Sequence, residues 1–379
     1  MIRKLHRTPL ATRLAAAGLA LALVASACSD SGDSDGDTST GSTDAPATDA
    51  SATDASATDA SATTMNVGEP AASGTVTVYI GRQYGIEPVF EAFTAATGVE
   101  VRFTSGGDPE LRERLIAEGE NTPADVVLTA DAANIELSAR AGVLAPIGSD
   151  ALTAAIPAEL RSPDDLWFAL SRRARVVIYS TERVTEPPTT YAGIGDPQWS
   201  GRVCLRPSTH PYTQSLVASI IAAEGEDRAT EIVSSWVAND PLYINSDTDI
   251  YKAVAAGECD VAIANTYYLG RLQTEDPAFP VAISWPEQDG RGAHVNVSAA
   301  GVTANAPNPA AARLLVEWLA TEGQEQFAAA NFEYPADPTT PVDELVASWG
   351  EFTADLGAVR RLGELNPVAV EVLSAAGYE

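Results

Sequence analysis

The chain has 379 residues, 52 acidic against 23 basic side chains, and a formal net charge of -29. That balance argues against nucleic acid and anionic lipid surfaces as partners, and leaves a cationic ligand open. With three scattered histidines (His6, His210, His294), no Ser/His/Asp arrangement, no Gly-rich phosphate loop and no convincing carboxylate pair, an enzyme is disfavoured.

Residues 1–27 read as an export signal. Arg3, Lys4, Arg7 and Arg13 precede an apolar stretch from Leu14 to Ala27 that is too short to span a bilayer and ends in small residues. Cys28 directly after them resembles a bacterial lipobox, although Ala25 stands where leucine is commoner; an ordinary signal peptide with an incidental Cys28 is the alternative. Residues 28–74 are nearly all Ser, Thr, Asp, Ala and Gly, a composition that cannot bury enough apolar surface to offset chain entropy, so a disordered tether is expected.

From Thr75 the pattern alternates. Strands at 75–81, 99–103 and 124–129 are separated by helices opening at Pro88 and Glu110, and a further helix starts near Asp131, which makes a parallel α/β domain. The arginine-rich run 167–179 reads as a strand crossing to a second domain. There, a strand at 202–206 leads through a loop at 207–212 into a helix at 213–224, and a second helix covers about 228–237. The run Val261 to Ala264 is another strand, with Asn265-Thr266 supplying N-cap chemistry for a helix beginning Tyr267-Tyr268. Residues 294–298 are the return crossing, and the segment after Pro335 reads as helical packing.

Three strand ends therefore carry tyrosine: Tyr84, Tyr212 and the Tyr267-Tyr268 pair. In an open α/β sheet that edge holds the ligand. Phenolate is a hard oxygen donor that ionises at neutral pH only with the help of a highly charged ion. Oxygen donors without thiolates or clustered histidines argue against zinc and copper, and calcium or magnesium would call on carboxylates, so ferric iron is the best match. Cys204 and Cys259 each lie eight residues before a candidate ligand. If their strands are parallel neighbours in register a disulfide is reasonable; two free buried cysteines are the alternative. His210, near Tyr212, reads as an exposed loop histidine, with a supporting place behind the metal ligands as the alternative.

Between about Thr77 and Pro335 the chain resembles the ferric-iron-binding proteins of bacterial ABC importers, in their tyrosine-rich branch. The resemblance is carried by Pro123-Ala124-Asp125-Val126, by Leu170-Ser171-Arg172-Arg173-Ala174-Arg175-Val176 and by Tyr212-Thr213-Gln214-Ser215-Leu216. Ala264-Asn265-Thr266-Tyr267-Tyr268 and Asn331-Phe332-Glu333-Tyr334-Pro335 complete it. It implies a two-lobe type II periplasmic-binding-protein fold, with two doubly wound α/β domains joined by a hinge of crossing strands. One lobe would comprise residues 75–173 plus 295–345, and the other 174–294 plus 346–379. Carried over by motif, Tyr84, Tyr212, Tyr267 and Tyr268 become ligands of Fe3+ as cargo. Gln83 stands where many relatives have histidine, so its carbonyl oxygen, a water or an anion would complete the shell. A carboxylate used by another branch corresponds to Ala130 and is absent here. Arg173, with Arg175 second, would balance the phenolate charge and hold a synergistic anion such as carbonate. The implied protein is a monomeric extracytoplasmic lipoprotein, anchored through Cys28, that delivers its cargo to an ABC permease. The same fold carrying a small organic cation, such as a polyamine or thiamine, is the alternative.

Overall fold

A computed structural model describes residues 74–82 and 84–379. The expected signal peptide with Cys28, the expected tether up to residue 73, and Gln83 lie outside the described residues.

The first sheet is built from β1 (Thr75–Ile80), β2 (Glu100–Ser105) and β3 (Val126–Thr129), with β1 parallel to both of the others. Its helices are α1 (Glu87–Thr97), α2 (Asp108–Glu118) and α3 (Ala132–Arg140). Pro88 sits in the first turn of α1, where a missing N–H costs nothing, and Val89, Phe90 and Phe93 form its buried face. Short β4 (Leu144–Ala145) and α4 (Asp150–Ala155) lead to the long β5 (Phe168–Ser180).

β5 changes partners part-way along its length. Residues 168–174 pair with β10 (Ala293–Thr303), whereas Arg175 to Tyr179 pair with β8 (Val261–Asn265). β10 in turn continues to β3, so these two antiparallel strands join one parallel sheet to another. This is the crossing anticipated for 167–179 and 294–298.

The second sheet holds β6 (Val203–Leu205), β7 (Leu242–Tyr243) and β8, all parallel, with β9 (Val281–Ser284) against β5. Every residue of β3 and of β8 is buried, as expected for central strands covered on both faces. The helices here are α5 (Pro211–Glu224), α6 (Glu226–Ala238), α7 (Asp247–Ala256) and α8 (Tyr267–Glu275). After β10 come α9 (Pro309–Ala320), α10 (Gln324–Ala329), β11 (Tyr334–Pro335), α11 (Glu344–Ala347), β12 (Ala354–Asp355) and α12 (Leu362–Ala375). α12 packs on α5 and α6 and also on α3. Among the described residues no helix is long and apolar enough to cross a membrane.

Three local expectations are corrected. α5 begins at Pro211, so Tyr212 lies in a helical first turn rather than a loop; proline at the first position and His210 as N-cap move the start forward. Thr266 occupies the N-cap of α8 in a helical conformation, and its buried hydroxyl has no partner, so it does not cap. Cys204 and Cys259 are bonded, with Cα atoms 5.7 Å apart, but Cys204 is level with Ala262 and not with Cys259. The equal eight-residue spacings are therefore not a register. On one side the chain runs through the 206–210 loop, and on the other it passes from β8 to α8 through Thr266 alone.

Candidate metal centre

β8 delivers Tyr267 and Tyr268 to the carboxyl edge of the second sheet. The turn between β8 and α8 is pinned from several directions. Thr266 N donates to Ala174 O at 3.0 Å, Asn265 N to Asp247 Oδ2 at 3.1 Å, and Tyr251 Oη to Asn265 O at 3.2 Å. Tyr212 is brought to the same edge by α5. His210 Nδ1 accepts the Tyr212 N–H at 3.2 Å, which requires an unprotonated imidazole. Burial, then the charges of Arg206 and Arg175, lowers His210 to about 4 and keeps that nitrogen free. His210 is thus a half-buried helix cap and not an exposed loop histidine.

The phenol oxygens of Tyr212 and Tyr267 are 3.1 Å apart, and the rings of Tyr267 and Tyr268 have centroids 4.2 Å apart. Three of the four expected donors therefore meet. Tyr84 is different: it is 60% exposed, on the loop after β1, and its ring lies 4.2 Å from the Arg271 guanidinium. Arg271 is also 5.2 Å and 5.4 Å from the rings of Tyr267 and Tyr268, so it stands between the exposed tyrosine and the pair.

Burial raises two of the phenols, Tyr267 and Tyr268. Tyr267 is pushed well above its ordinary value, first by burial and then by its tyrosine neighbours, against the opposing pull of Arg173. Tyr268 is pushed up to about 12 by burial, then Tyr212 and Asp247, with Tyr267 and Arg206 acting the other way. Without a cation these groups carry their protons at neutral pH.

Arginines surround Tyr212: Arg206 at 5.6 Å from its ring, and Arg173 and Arg175 each at 5.9 Å. They are not equivalent. Fully buried Asp247 accepts from Arg175 at 3.0 Å and from Arg206 at 3.1 Å, and Arg175 further donates to Asn265 and to Ile263 O. Among the described residues Arg173 donates to neutral oxygens, of Ala130 and Ser298, and its charge faces the Tyr212 phenol, Glu333, Tyr267 and Asp131. A small polar cavity behind Tyr212 is walled by Arg173, Arg175, Ser215, Asn265, His294 and Asn296. Buried His294 donates to or accepts from Ser215 Oγ at 3.1 Å through Nε2, and its Nδ1 has no partner. Among the described residues no group of three or more His, Cys, Asp or Glu is placed to hold a metal.

Sequence reasoning missed Arg206, Asp247 and Arg271. Only Arg271 carried a local signal, since it lies four residues after Tyr267 and shares its helix face.

A family model described as bacterial extracellular solute-binding protein matches residues 89–354. The chain belongs to that family. It is 39% identical over 322 residues to Iron uptake protein A1 of a Synechocystis species, covering 82% of this chain and 89% of the relative. The major ferric iron-binding protein of Neisseria meningitidis is 28% identical over 277 residues, covering 70% of this chain and 82% of that one. Among solved structures, Trichodesmium FutA (IdiA) in complex with iron and citrate ligands superposes with a TM-score of 0.76 at 37% identity, over 80% of this chain and all of that one. The ferric binding protein of Campylobacter jejuni gives 0.74 at 31%, over 80% of this chain and all of that one. The family member described here has their two-lobe type II periplasmic-binding fold, with β5 and β10 as the crossing strands.

Proposed function

We propose that this protein captures Fe3+ in the cleft between its lobes through the phenolates of Tyr84, Tyr212, Tyr267 and Tyr268, and delivers it to an ABC permease. The observation that carries this is the meeting of Tyr212, Tyr267 and Tyr268, with a phenol–phenol distance of 3.1 Å, where among the described residues no carboxylate, imidazole or thiolate cluster competes. Holding Tyr268 ionised at pH 7 against a value of about 12 costs about 7 kcal/mol. A compact trivalent cation offsets that cost at each phenolate by displacing the proton. Its iron-uptake and ferric-binding relatives support the same cargo.

Four phenolates around Fe3+ leave one net negative charge. Among the described residues Arg173 is in no salt bridge whereas Arg175 is held by Asp247, so Arg173 balances that charge and is the better choice over Arg175 to hold a synergistic anion such as carbonate. The pair change of β5 at Ala174/Arg175 supports lobes of 75–173 with 295–345 and 174–294 with 346–379. Closure of these lobes brings Tyr84 to the other three. The protein is a carrier and not an enzyme, works outside the cytoplasm as a monomer, and is held to the membrane by lipid on Cys28.

A polyamine or thiamine is the weaker reading. It needs acidic groups facing the cleft, whereas Asp247 is held by two arginines, and Arg173 and Arg271 face the tyrosines. Titration with Fe3+ decides. A visible phenolate-to-iron band, lost in Tyr267→Phe/Tyr268→Phe, is expected; a colourless ferric titration beside saturable polyamine binding would overturn the proposal.

A further inference from the structure

Tyr84 is the one proposed ligand that no partner phenol holds, yet a ring of polar contacts starts at its backbone and returns to its side chain. Arg82, 3% exposed, directs Nη1 toward Tyr84 O at 3.4 Å, donates Nη2 to Phe327 O at 2.7 Å and lies 3.9 Å from the Phe327 ring. Its Nε is 3.6 Å from Glu333 Oε2. Glu333, 2% exposed, also accepts from Ser171 Oγ, and through Oε1 from Asn331 Nδ2 at 2.6 Å. Asn331 Oδ1 accepts from Arg271 Nη2, and Arg271 lies on the rings of Tyr84, Tyr267 and Tyr268.

Main-chain packing closes the same ring. A Cβ on Gly85 would lie 2.7 Å from Ala330 O, and one on Gly270 would lie 2.5 Å from Phe332 Cγ. Phe332 itself has φ 54°, a left-handed conformation costly for an aromatic residue. Segment 330–333 is therefore a bracket, with the Tyr84 turn seated on one side and α8 on the other.

We infer that Glu333 and Asn331 are positioning residues for Tyr84: they set Arg271, and through it whether the fourth phenol stands over the tyrosine pair. A carboxylate only accepts hydrogen bonds, so Glu333 forces the Asn331 amide to point its NH2 inward and its oxygen at Arg271. With glutamine at 333 the amide can turn over and present a donor to a guanidinium that has no acceptor. The buried Arg82 would at the same time lose its carboxylate.

This inference rests on the iron reading, so the test has an arm that needs no metal. In the metal-free full-length protein, Glu333→Gln should speed hydrogen exchange at the backbone amides of residues 84–86 while leaving those of 261–265 unchanged. Gly270→Ala, which pushes Phe332 off α8 without touching the carboxylate, should do the same and guards against a folding defect in the first variant. In the ferric-loaded protein, loss of colour to excess citrate should be roughly tenfold faster in Glu333→Gln, about what one charge-assisted hydrogen bond carries. It should match Tyr84→Phe, and the double variant should be no faster than Tyr84→Phe alone. Unchanged exchange at 84–86 in both variants, or a double variant whose rate is the product of the single effects, would overturn the assignment. A wild type that stays colourless would remove the iron reading, and the exchange result would still decide the bracket.

Discussion

If the phenols enter the cleft protonated, iron loading must expel protons in a countable number. Tyr268 is held at about 12, so at pH 7 only about one copy in 100,000 is ionised before the metal arrives. Tyr267 lies well above its ordinary value, again first through burial. Each phenol that becomes a ligand therefore gives up one whole proton, and the apparent affinity should fall about tenfold per phenolate for each pH unit of acidification. Removing the Tyr268 hydroxyl should subtract one proton from the count and one power of ten from that slope. The assay is a pH-stat titration of metal-free protein with a single ferric source, comparing wild type with Tyr268→Phe and Tyr212→Phe. Protons from hydrolysis of the ferric source are common to all three and cancel in the differences. Equal proton release from wild type and both variants would refute the phenolate reasoning, because a site whose donors are waters or carbonyls loses nothing when a phenol is removed.

Asp247→Asn should destabilise by about 3–5 kcal/mol, read as a lower denaturant midpoint, because it leaves Arg175 and Arg206 buried without their shared carboxylate. Asp108 is raised from 3.8 to about 7, first by burial and then by Asp131. Its raised folded value means that its contribution is present below pH 3.8 and is lost as pH climbs through about 7, by up to about 4 kcal/mol. Asp108→Asn should therefore gain on wild type between pH 5 and pH 8 in denaturation curves; parallel curves would contradict the shift. Replacing Cys204 and Cys259 with alanine opens a link across 55 positions and should cost about 4 kcal/mol, measured as a drop in Tm.

Most of the fold was legible because its strands are short apolar runs between glycine and proline punctuation. The crossing of β5 was also anticipated, because the run 167–179 is extended and rich in arginine; its change of partners at Ala174/Arg175 was not. The tyrosines were found because each follows a strand at its carboxyl end, a position that sequence does show. What escaped was everything defined by tertiary contact. Asp247 is 72 residues from Arg175 and 41 from Arg206, and nothing near it marks it as the carboxylate they share. Glu333 lay inside a motif that was noticed but given no role, because its partners Arg82 and Ser171 come from distant strands. The two misplaced helix details have local causes: proline and histidine together advanced α5, and β8 runs into α8 too directly for Thr266 to act as a cap.

On the proposed iron reading, the arginines around the phenols decide what the cleft admits. Burial pushes Tyr267 and Tyr268 away from ionisation, and Arg173 and Arg206 pull back, though not far enough to leave free phenolates at neutral pH. Positive charge beside neutral phenols repels a diffuse organic cation, which has no means of removing a phenolic proton. A small trivalent ion gains from each phenolate it creates, and the charge that resisted its approach then balances the surplus negative charge of the complex. Asp247 divides these tasks. By holding Arg175 and Arg206 it ties down two guanidiniums as one fixed unit of net charge +1, while Arg173, in no salt bridge among the described residues, faces Tyr212 together with Glu333, Tyr267 and Asp131. On the iron reading the cleft is tuned by which arginines are held in a salt bridge and which are not, rather than by how many there are.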